Sequence, residues 1–297
     1  MISKKKINPS LKIMKIKKGM FSNFLKRYTT SPTMPPMPTA PSETEFCEFV
    51  KINGYSDSYE ARIGKKYSII DVEELSKHEN IVSLDCSNCG LTELPRNLNR
   101  IKNLKRLNCS RNSLETLPDN LDQLEVLDCS LNELKTIPDT YKQLISLKCC
   151  FNNLKTLPIT LTRLEKLYCR NNNLNSLPHY FQKLEVLDCS RNKLDTIPDT
   201  YKQLASLSCS YNKLERLPET LTKLETLHCG NNKLTILPAT YRLLTLLHCE
   251  CNELKTLPDT YINLKKLDCH FNRIRSSSLP DMYSSVSIGS MYMKSHY

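Results

Sequence analysis

The sequence predicts a β-strand solenoid of ten small stacked units, and two observations support that fold class. One pattern, L-x-x-L-x-C-x-x-N-x-L-x-x-L-P, recurs along the chain, and its fourth copy runs from Leu144 to Pro158. Its period is about 20 residues at every step except the first, which is slightly longer. A fixed period this short is typical of units that cannot bury their apolar side alone and must stack on their neighbours. The asparagine position of the ten copies is occupied, in order, by Cys89, Asn112, Asn132, Asn152, Asn172, Asn192, Asn212, Asn232, Asn252 and Asn272.

Each unit is predicted to begin with a short strand of about three to five residues, whose side chains alternate between the core and solvent. In the fourth copy, Leu147 and Cys149 point into the coil, whereas Ser146 and Lys148 face outward. Stacking the units then places equivalent strands side by side, parallel and about 4.8 Å apart. The predicted architecture is therefore one long parallel sheet over a narrow core.

The rest of each unit is predicted to turn the chain and bring it back. The asparagine amide can bond the backbone of the turn and of the next coil, which replaces bonds that a buried loop would lose. Leu154 and Leu157 return over the core, and Pro158 stops the strand from extending. A circuit this short leaves little room for a helix, so we expect extended, polyproline-like or 3₁₀ segments there. Only the longer first step has room for a short helix. One further apolar residue per unit closes the circuit: Leu121, Tyr141, Leu161, Phe181, Tyr201, Leu221, Tyr241 and Tyr261.

Ten of the 14 cysteines occupy the same inward strand position: Cys86, Cys109, Cys129, Cys149, Cys169, Cys189, Cys209, Cys229, Cys249 and Cys269. We expect a column of small buried thiols, because parallel neighbours in register satisfy disulfide geometry poorly. A zinc interpretation is weak, since no C-x-x-C pair lies at finger spacing from a second one. Many free thiols predict a reducing compartment, and we therefore expect a cytoplasmic protein.

From about Ile81 to Ile274 the pattern resembles the leucine-rich-repeat family. The short repeat length and the L-P step are similar to the repeats of bacterial effector proteins, and Leu94 to Leu104 is similar to the intracellular eukaryotic type. The chain also resembles repeat proteins encoded by large DNA viruses that infect amoebae. The resemblance implies an α/β-type solenoid dominated by short parallel strands: a right-handed horseshoe with a mostly non-helical convex side and a partner-binding concave face. One departure is consistent, because the family usually has Leu, Val or Ile where this chain has cysteine.

Composition divides the chain into five parts. We assign a basic segment with an amphipathic pattern to 1–28, a Pro/Ser/Thr-rich linker to 29–45, an N-terminal cap to 46–80, the array of ten repeats to 81–280, and a C-terminal tail to 281–297. The cap is expected because a solenoid must cover the exposed edge of its first unit, and a short helix is predicted near Asp71–Lys77.

Most of the net charge of +11 lies at the start of the chain, where residues 1–42 contain nine Lys or Arg and no acid. This stretch suits a disordered basic tail, an organelle-targeting segment, or contact with an anionic membrane surface. The last would make the protein a peripheral membrane adaptor. The remainder carries only +2 with mixed signs, so nucleic-acid binding by the array is not expected.

Two outward columns are the candidate binding surface, one just before the core cysteine and one two residues after it. Exposed aromatic and arginine side chains are enriched in protein interfaces, and they recur at these positions. The alternative is a Ser-rich solvated face without a partner. We expect an unidentified protein to bind on the concave face through Arg111, Phe151, Tyr168, Arg170, Arg191, Tyr211, His228, His248 and Phe271.

A metal site is a second hypothesis, because His228, His248 and Asp268 occupy one column on three consecutive strands and their side chains are zinc ligands. The alternative is exposed histidines with no ligand role. Enzymatic activity is not expected, since a chain with six glycines has no phosphate-binding glycine loop. Similar bacterial effectors carry a ubiquitin-ligase domain after the repeats, and the short stretch that follows Ile274 is too small for one. No cofactor is implied.

Overall fold

The computed structural model of the chain describes residues 47–51, 59–63, 70, 72–78, 80–275, 283 and 287–288. Within them the strands form one thirteen-stranded sheet in chain order. The strands are β1 Cys47–Lys51, β2 Tyr59–Ile63, β3 Ile81–Asp85, β4 Arg106–Asn108, β5 Val126–Asp128, β6 Ser146–Lys148, β7 Lys166–Tyr168, β8 Val186–Asp188, β9 Ser206–Ser208, β10 Thr226–His228, β11 Leu246–His248, β12 Lys266–Asp268 and β13 Ser287–Ile288. The predicted helix is present as α1, Val72–Ser76. A 3₁₀ turn at Leu98–Arg100 occupies the longer first step. The basic segment 1–28 and the linker 29–45 lie outside the described residues.

Ten of these strands, β3 to β12, are the repeat strands and pair in parallel. Leu147 lies opposite Leu127 on one side and Leu167 on the other, so each pattern position stacks on its equivalent in the next coil. Strand β3 has five residues and the other nine have three. This sheet, with almost no helix beside it, is the β-solenoid that the fixed period predicts.

The core is a stack of leucines and cysteines. In β6, Leu147 is fully buried between the half-buried Ser146 and the exposed Lys148, and Cys149 just after the strand is fully buried. Burial raises the pKa of the Cys149 thiol, which keeps it protonated, and the described cysteines form no disulfide. The fully buried members of the cysteine column are Cys86, Cys109, Cys129, Cys149, Cys169, Cys189, Cys209, Cys229 and Cys249.

The asparagine of each repeat joins two coils. The Nδ2 group of Asn152 donates to the carbonyl of Cys149 in its own coil at 3.1 Å and to that of Cys129 in the preceding coil at 3.0 Å. Its Oδ1 accepts the backbone N–H of Leu134, also in the preceding coil, at 3.0 Å. The sequence-based expectation that the amide reaches the next coil is therefore wrong in direction. The same bonds to the preceding coil recur for Asn112, Asn132, Asn172, Asn192, Asn212, Asn232, Asn252 and Asn272.

The asparagines bond the coil before them, and the first repeat, which no other repeat precedes, is the one without asparagine. Strand β3 of the first repeat pairs on its other side with β2, which belongs to the antiparallel pair β1 and β2 and not to a repeat. Cys89 fills the asparagine position there as a buried side chain, 4% exposed. Its own backbone N–H and that of Leu91 both donate to Oδ1 of Asn112 in the following repeat.

A second set of hydrogen bonds joins the coils on the return side, the segments that follow each proline. Thr200 Oγ1 donates to the carbonyl of His179 at 2.7 Å, and the Tyr201 hydroxyl donates to the carbonyl of Pro178 at 2.7 Å. The recurrent P-x-T-Y sequence therefore pairs two side-chain hydroxyls with carbonyls of the preceding coil. Tyrosines that bond in this way are Tyr141, Tyr201, Tyr241 and Tyr261. Phe181 lacks the hydroxyl and instead stacks on the Tyr201 ring at 6.3 Å.

The described residues after the tenth repeat continue the solenoid. Strand β13 pairs in parallel with β12, and the Tyr283 hydroxyl donates to the carbonyl of Pro258, as the repeat tyrosines do. Tyr283 is buried. Within the predicted tail 281–297, the three described residues Tyr283, Ser287 and Ile288 therefore pack against the last repeat of the array.

Replacing Asn152 with alanine tests the contribution of these repeated asparagine side chains, here called the asparagine ladder. The variant Asn152→Ala leaves buried backbone groups of two coils without partners, so we expect it to lower the free energy of unfolding by about 2–4 kcal/mol. Asn153→Ala is the matched control, since Asn153 is the exposed neighbour, and it should cost under about 0.5 kcal/mol. Urea denaturation followed by circular dichroism measures both, and equal losses would contradict the assignment.

Candidate binding surface

The outward side chains of the repeat strands form one continuous surface, here called the sheet face, which is the face expected to be concave. Its central column is the residue just before each core cysteine, from Asp85 on β3 to Asp268 on β12. Because the strands are in register, neighbouring members of this column lie about 4.8 Å apart. On the sheet face the backbone therefore repeats regularly, while the type of side chain differs from strand to strand.

The acidic residues of this column have a structural role. Asp128 Oδ1 accepts the backbone N–H of Ser130 at 3.1 Å, and Asp188 Oδ1 accepts that of Ser190 at 3.0 Å. A short acceptor side chain is suited to this turn because it can bond the backbone two residues ahead. The sequence-based interpretation of the column as surface chemistry alone missed this function. The other members with the same bond are Asp85, Asn108 and Asp268.

The second candidate column does not lie on the strands. The residue two after each core cysteine has a positive φ, between 53° and 59°, in all ten repeats. The strands end before this column, and these residues form a left-handed turn at the rim of the sheet face. For residues other than glycine this conformation costs about 1–2 kcal/mol. Three asparagines in the column were the available sequence signal. The rim column is Asn88, Arg111, Leu131, Phe151, Asn171, Arg191, Tyr211, Asn231, Cys251 and Phe271.

The turn pushes large side chains of the rim column outward. Phe151 is 43% exposed, and Tyr211 and Phe271 are each 47% exposed. Arg111 and Arg191 are also exposed. These are the residue types that anchor protein interfaces, and here they stand at fixed intervals along one edge.

The structure brings some of the predicted site residues together and leaves others apart. The Arg191 guanidinium lies 4.3 Å from the Tyr211 ring centroid, and the Lys148 ammonium lies 5.9 Å from that of Tyr168. Tyr168 is half-buried on β7, whereas Arg170, one residue past the core cysteine, is exposed. Cation–π contacts of this kind contribute about 0.5–1 kcal/mol at exposed sites and hold both side chains in place.

The hypothesis of a metal site is not supported by the geometry. The rings of His228 and His248 meet edge to face, with centroids 4.6 Å apart. Asp268 bonds the ring of His270 instead of facing that pair. Among the residues that the structure describes, no three His, Cys, Asp or Glu side chains are grouped as metal ligands. The shared column does place His228, His248 and Asp268 on adjacent strands, but the partner of the carboxylate is the ring of His270.

His228 and His248 form a half-buried pair between carboxylates. Burial lowers the pKa of His228, and the neighbouring His248 lowers it further, whereas Glu250 and Asp188 act in the opposite sense. Glu250 lies directly over Gly230, where a Cβ atom would come within 2.0 Å of Glu250 Oε1. Strand β9 contributes the uncharged Ser208 beside His228. His228 is thus set to remain neutral near pH 7.

The His228 pKa shift predicts a pH effect on stability. Because the folded-state pKa lies below the unfolded value of about 6.5, the unfolded chain takes up the proton first, and stability falls as the pH drops below about 6.5. His228→Gln should therefore lose less thermal stability than wild type between pH 7.5 and pH 5. Melting temperatures measured by calorimetry test this, with the exposed His179→Gln as control. Identical pH dependence of the two variants would contradict the role of burial.

Comparison with known proteins places these repeats in a family. The family model described as Leucine Rich Repeat matches residues 103–124, 163–184 and 183–204. A search of curated protein sequences finds no significant relative. In the described part of the chain, no helix combines the length and apolar character that crossing a membrane requires.

Solved structures extend the match over most of the chain. The functional domain of InlJ from Listeria monocytogenes, which includes a cysteine ladder, is 28% identical with a TM-score of 0.61, covering 76% of this chain and 56% of that one. YopM, a leucine-rich effector of Yersinia pestis, is 27% identical with a TM-score of 0.54, covering 71% and 72%. The Arabidopsis receptor kinase HAESA, solved in complex with the peptide hormone IDA and the co-receptor SERK1, is 25% identical with a TM-score of 0.55, covering 70% and 46%. The chain thus spans about half the length of InlJ and HAESA.

The family model, the ten in-register strands and these neighbours agree on one fold, which is typical of protein–protein interaction domains. This fold accounts for the period, the asparagine ladder and the leucine core. The family model and the similar solved structures thus agree that the described repeats are leucine-rich repeats.

Proposed function

We propose that the protein is a non-enzymatic intracellular scaffold that binds a protein partner on its sheet face. The observation that carries the proposal is the row of exposed aromatic and arginine side chains along the rim column, Phe151, Arg191 and Tyr211 among them. Such residues dominate binding energy when a partner covers them. Proteins of this family and fold are mainly interaction modules without catalytic activity, which supports the same interpretation.

The backbone beneath this row favours binding. Each rim residue from Arg111 onward is followed directly by an asparagine that is bonded into two coils, as Phe151 is by Asn152. A side chain anchored on such a backbone loses little conformational freedom when a partner docks, and that lowers the entropic cost of association. One similar structure, HAESA, was solved in complex with a peptide hormone and a co-receptor, which makes a peptide or protein ligand the natural class to test.

The intracellular location in this proposal depends on the cysteines. Burial raises the pKa of the core thiols, and the described cysteines form no disulfide. Free thiols in such number suit a reducing compartment.

A peripheral membrane adaptor is the second candidate, because nine Lys or Arg and no acid stand in residues 1–42. A cluster of this size is attracted to anionic lipid. Sedimentation with vesicles containing phosphatidylserine compares the full chain with a variant in which the nine basic residues are changed to glutamine. Equal binding of the two would exclude the basic segment as an anchor.

Removing the anchors of the sheet face should abolish partner binding. We expect the triple variant Tyr168→Ala, Arg191→Ala and Tyr211→Ala to lose the stoichiometric partners that the full chain retains in affinity purification with mass spectrometry. Truncation of a central anchor typically costs about 2 kcal/mol or more, which is roughly thirtyfold in affinity.

The matched control changes exposed residues of the return side: Tyr180→Ala, Lys202→Ala and Ile262→Ala. This control should keep the partners, and both variants should melt as the wild type does. Recovery of the same partners with the sheet-face variant would rule out the proposed binding surface.

A further inference from the structure

The middle of the sheet face carries an excess of positive charge. In the three repeats of β6, β7 and β8, the outward strand positions, the residue after the cysteine and the rim residue include four cations and one carboxylate, Asp188. The cations are all exposed. We call this group, together with two aromatic residues between its members, the basic patch: Lys148, Phe151, Lys166, Tyr168, Arg170 and Arg191.

The carboxylates beside the basic patch do not balance it. Asp188 uses one oxygen to accept the backbone N–H of Ser190. Asp128, on the neighbouring strand β5, does the same with Ser130, and its other oxygen lies 4.0 Å from the Lys148 ammonium. The Asp128 side chain is 28% exposed, whereas that of Lys148 is 53% exposed. The carboxylates of Asp128 and Asp188 therefore lie close to the backbone, because each bonds an N–H group of its own turn. The cationic groups extend farther into solvent.

The patch is also preorganised. The Lys148 ammonium is held near the Tyr168 ring, and the Arg191 guanidinium lies over the Tyr211 ring. Phe151 adds an exposed apolar surface at the rim beside them. Neighbouring strands place the cations at steps of about 5 Å, and long lysine and arginine side chains adjust that spacing by a few ångströms. Lysine and arginine side chains held beside aromatic rings form a site for a ligand that carries both anionic and apolar groups.

We propose that the basic patch binds an extended segment of a partner protein that is rich in aspartate and glutamate. The proposal rests on the sheet-face scaffold proposed above and specifies the chemistry of its partner. Alternate residues of an extended segment point to the same side and lie about 7 Å apart, so successive carboxylates meet cations on neighbouring strands. Arg170 and Arg191 suit carboxylates because a guanidinium binds them through two parallel hydrogen bonds.

The flanks of the patch favour such a segment over a nucleic acid. The four cations stand on three neighbouring repeats, so a short acidic segment can cover all of them. A long phosphate backbone would extend past them onto the other repeats. The array beyond the patch is close to neutral, which does not provide the continuous positive surface that nucleic-acid binding requires.

A peptide-binding measurement with matched charge reversals tests the proposal. The probe is a fluorescein-labelled peptide of alternating glutamate and serine, and the same peptide with glutamine is its neutral control. Fluorescence anisotropy uses the full chain, the variant Lys166→Glu with Arg170→Glu, and the variant Lys183→Glu with Lys202→Glu. Both variants change the net charge equally, but the second pair lies on the return side.

We expect the full chain to bind the acidic peptide and not the neutral one, with binding weakened when NaCl rises from about 50 mM to about 500 mM. The patch variant should bind at least about tenfold more weakly, while the return-side variant stays within about twofold of wild type. Circular dichroism melts confirm that all three proteins are folded, and Lys166→Gln with Arg170→Gln repeats the test without reversing charge.

Three results would overturn the proposal. Equal loss in the two variants would show that binding follows total charge, including that of the basic segment. Tighter binding of a single-stranded oligonucleotide than of the acidic peptide, lost in the same patch variant, would assign the patch to nucleic acid. Failure of the acidic peptide to bind, while protein partners still depend on Tyr168, Arg191 and Tyr211, would refute the acidic segment and leave the scaffold function standing.

Discussion

The amide of one asparagine per repeat bonds backbone groups of two neighbouring coils, and the regularity of the whole chain depends on it. A turn that follows three-residue strands would otherwise leave buried carbonyl and N–H groups without partners, at about 1–3 kcal/mol for each group. Nδ2 of Asn152 donates to three carbonyls and Oδ1 accepts one N–H group. Every such asparagine reaches back to the repeat before it, and in the first repeat, which follows no other repeat, Cys89 occupies its place.

The two sides of the solenoid use different groups for the same purpose. On the sheet side the asparagines bond successive turns, and on the return side threonine and tyrosine hydroxyls bond carbonyls of the preceding coil. Between them lies the narrow core, where a cysteine directly follows each repeat strand and none of these ten cysteines forms a disulfide. The outward positions lie outside these two sets of bonds, although short acceptors such as Asp188 and Asn108 close their own turns. They are therefore the positions at which surface chemistry can vary without loss of the fold.

The pattern predicts the fold closely because each of its positions has one physical role, and the burial of Leu147 and Cys149 follows from strand alternation alone. The reach of Asn152 to the preceding coil could not be read from the chain, since the amide could bond either neighbour. The rim conformation was hidden because most of its residues, such as Phe151, disfavour positive φ, and only the stacked turns impose it. The predicted aromatic and arginine residues do lie on the sheet face or its rim. His228 and His248 meet as predicted neighbours, whereas Asp268 bonds His270.

If the asparagine ladder is the source of this order, the amide groups that it binds should be among the best protected in the molecule. Native-state hydrogen exchange followed by NMR measures the N–H groups of Leu134, Leu154 and Leu174, each of which donates to an asparagine Oδ1 of the next repeat at 3.0 Å. The account predicts that these three exchange as slowly as the strand amides, through opening of whole repeats. Exchange near the rate of an exposed amide at these leucines, with the strand amides still protected, would contradict it.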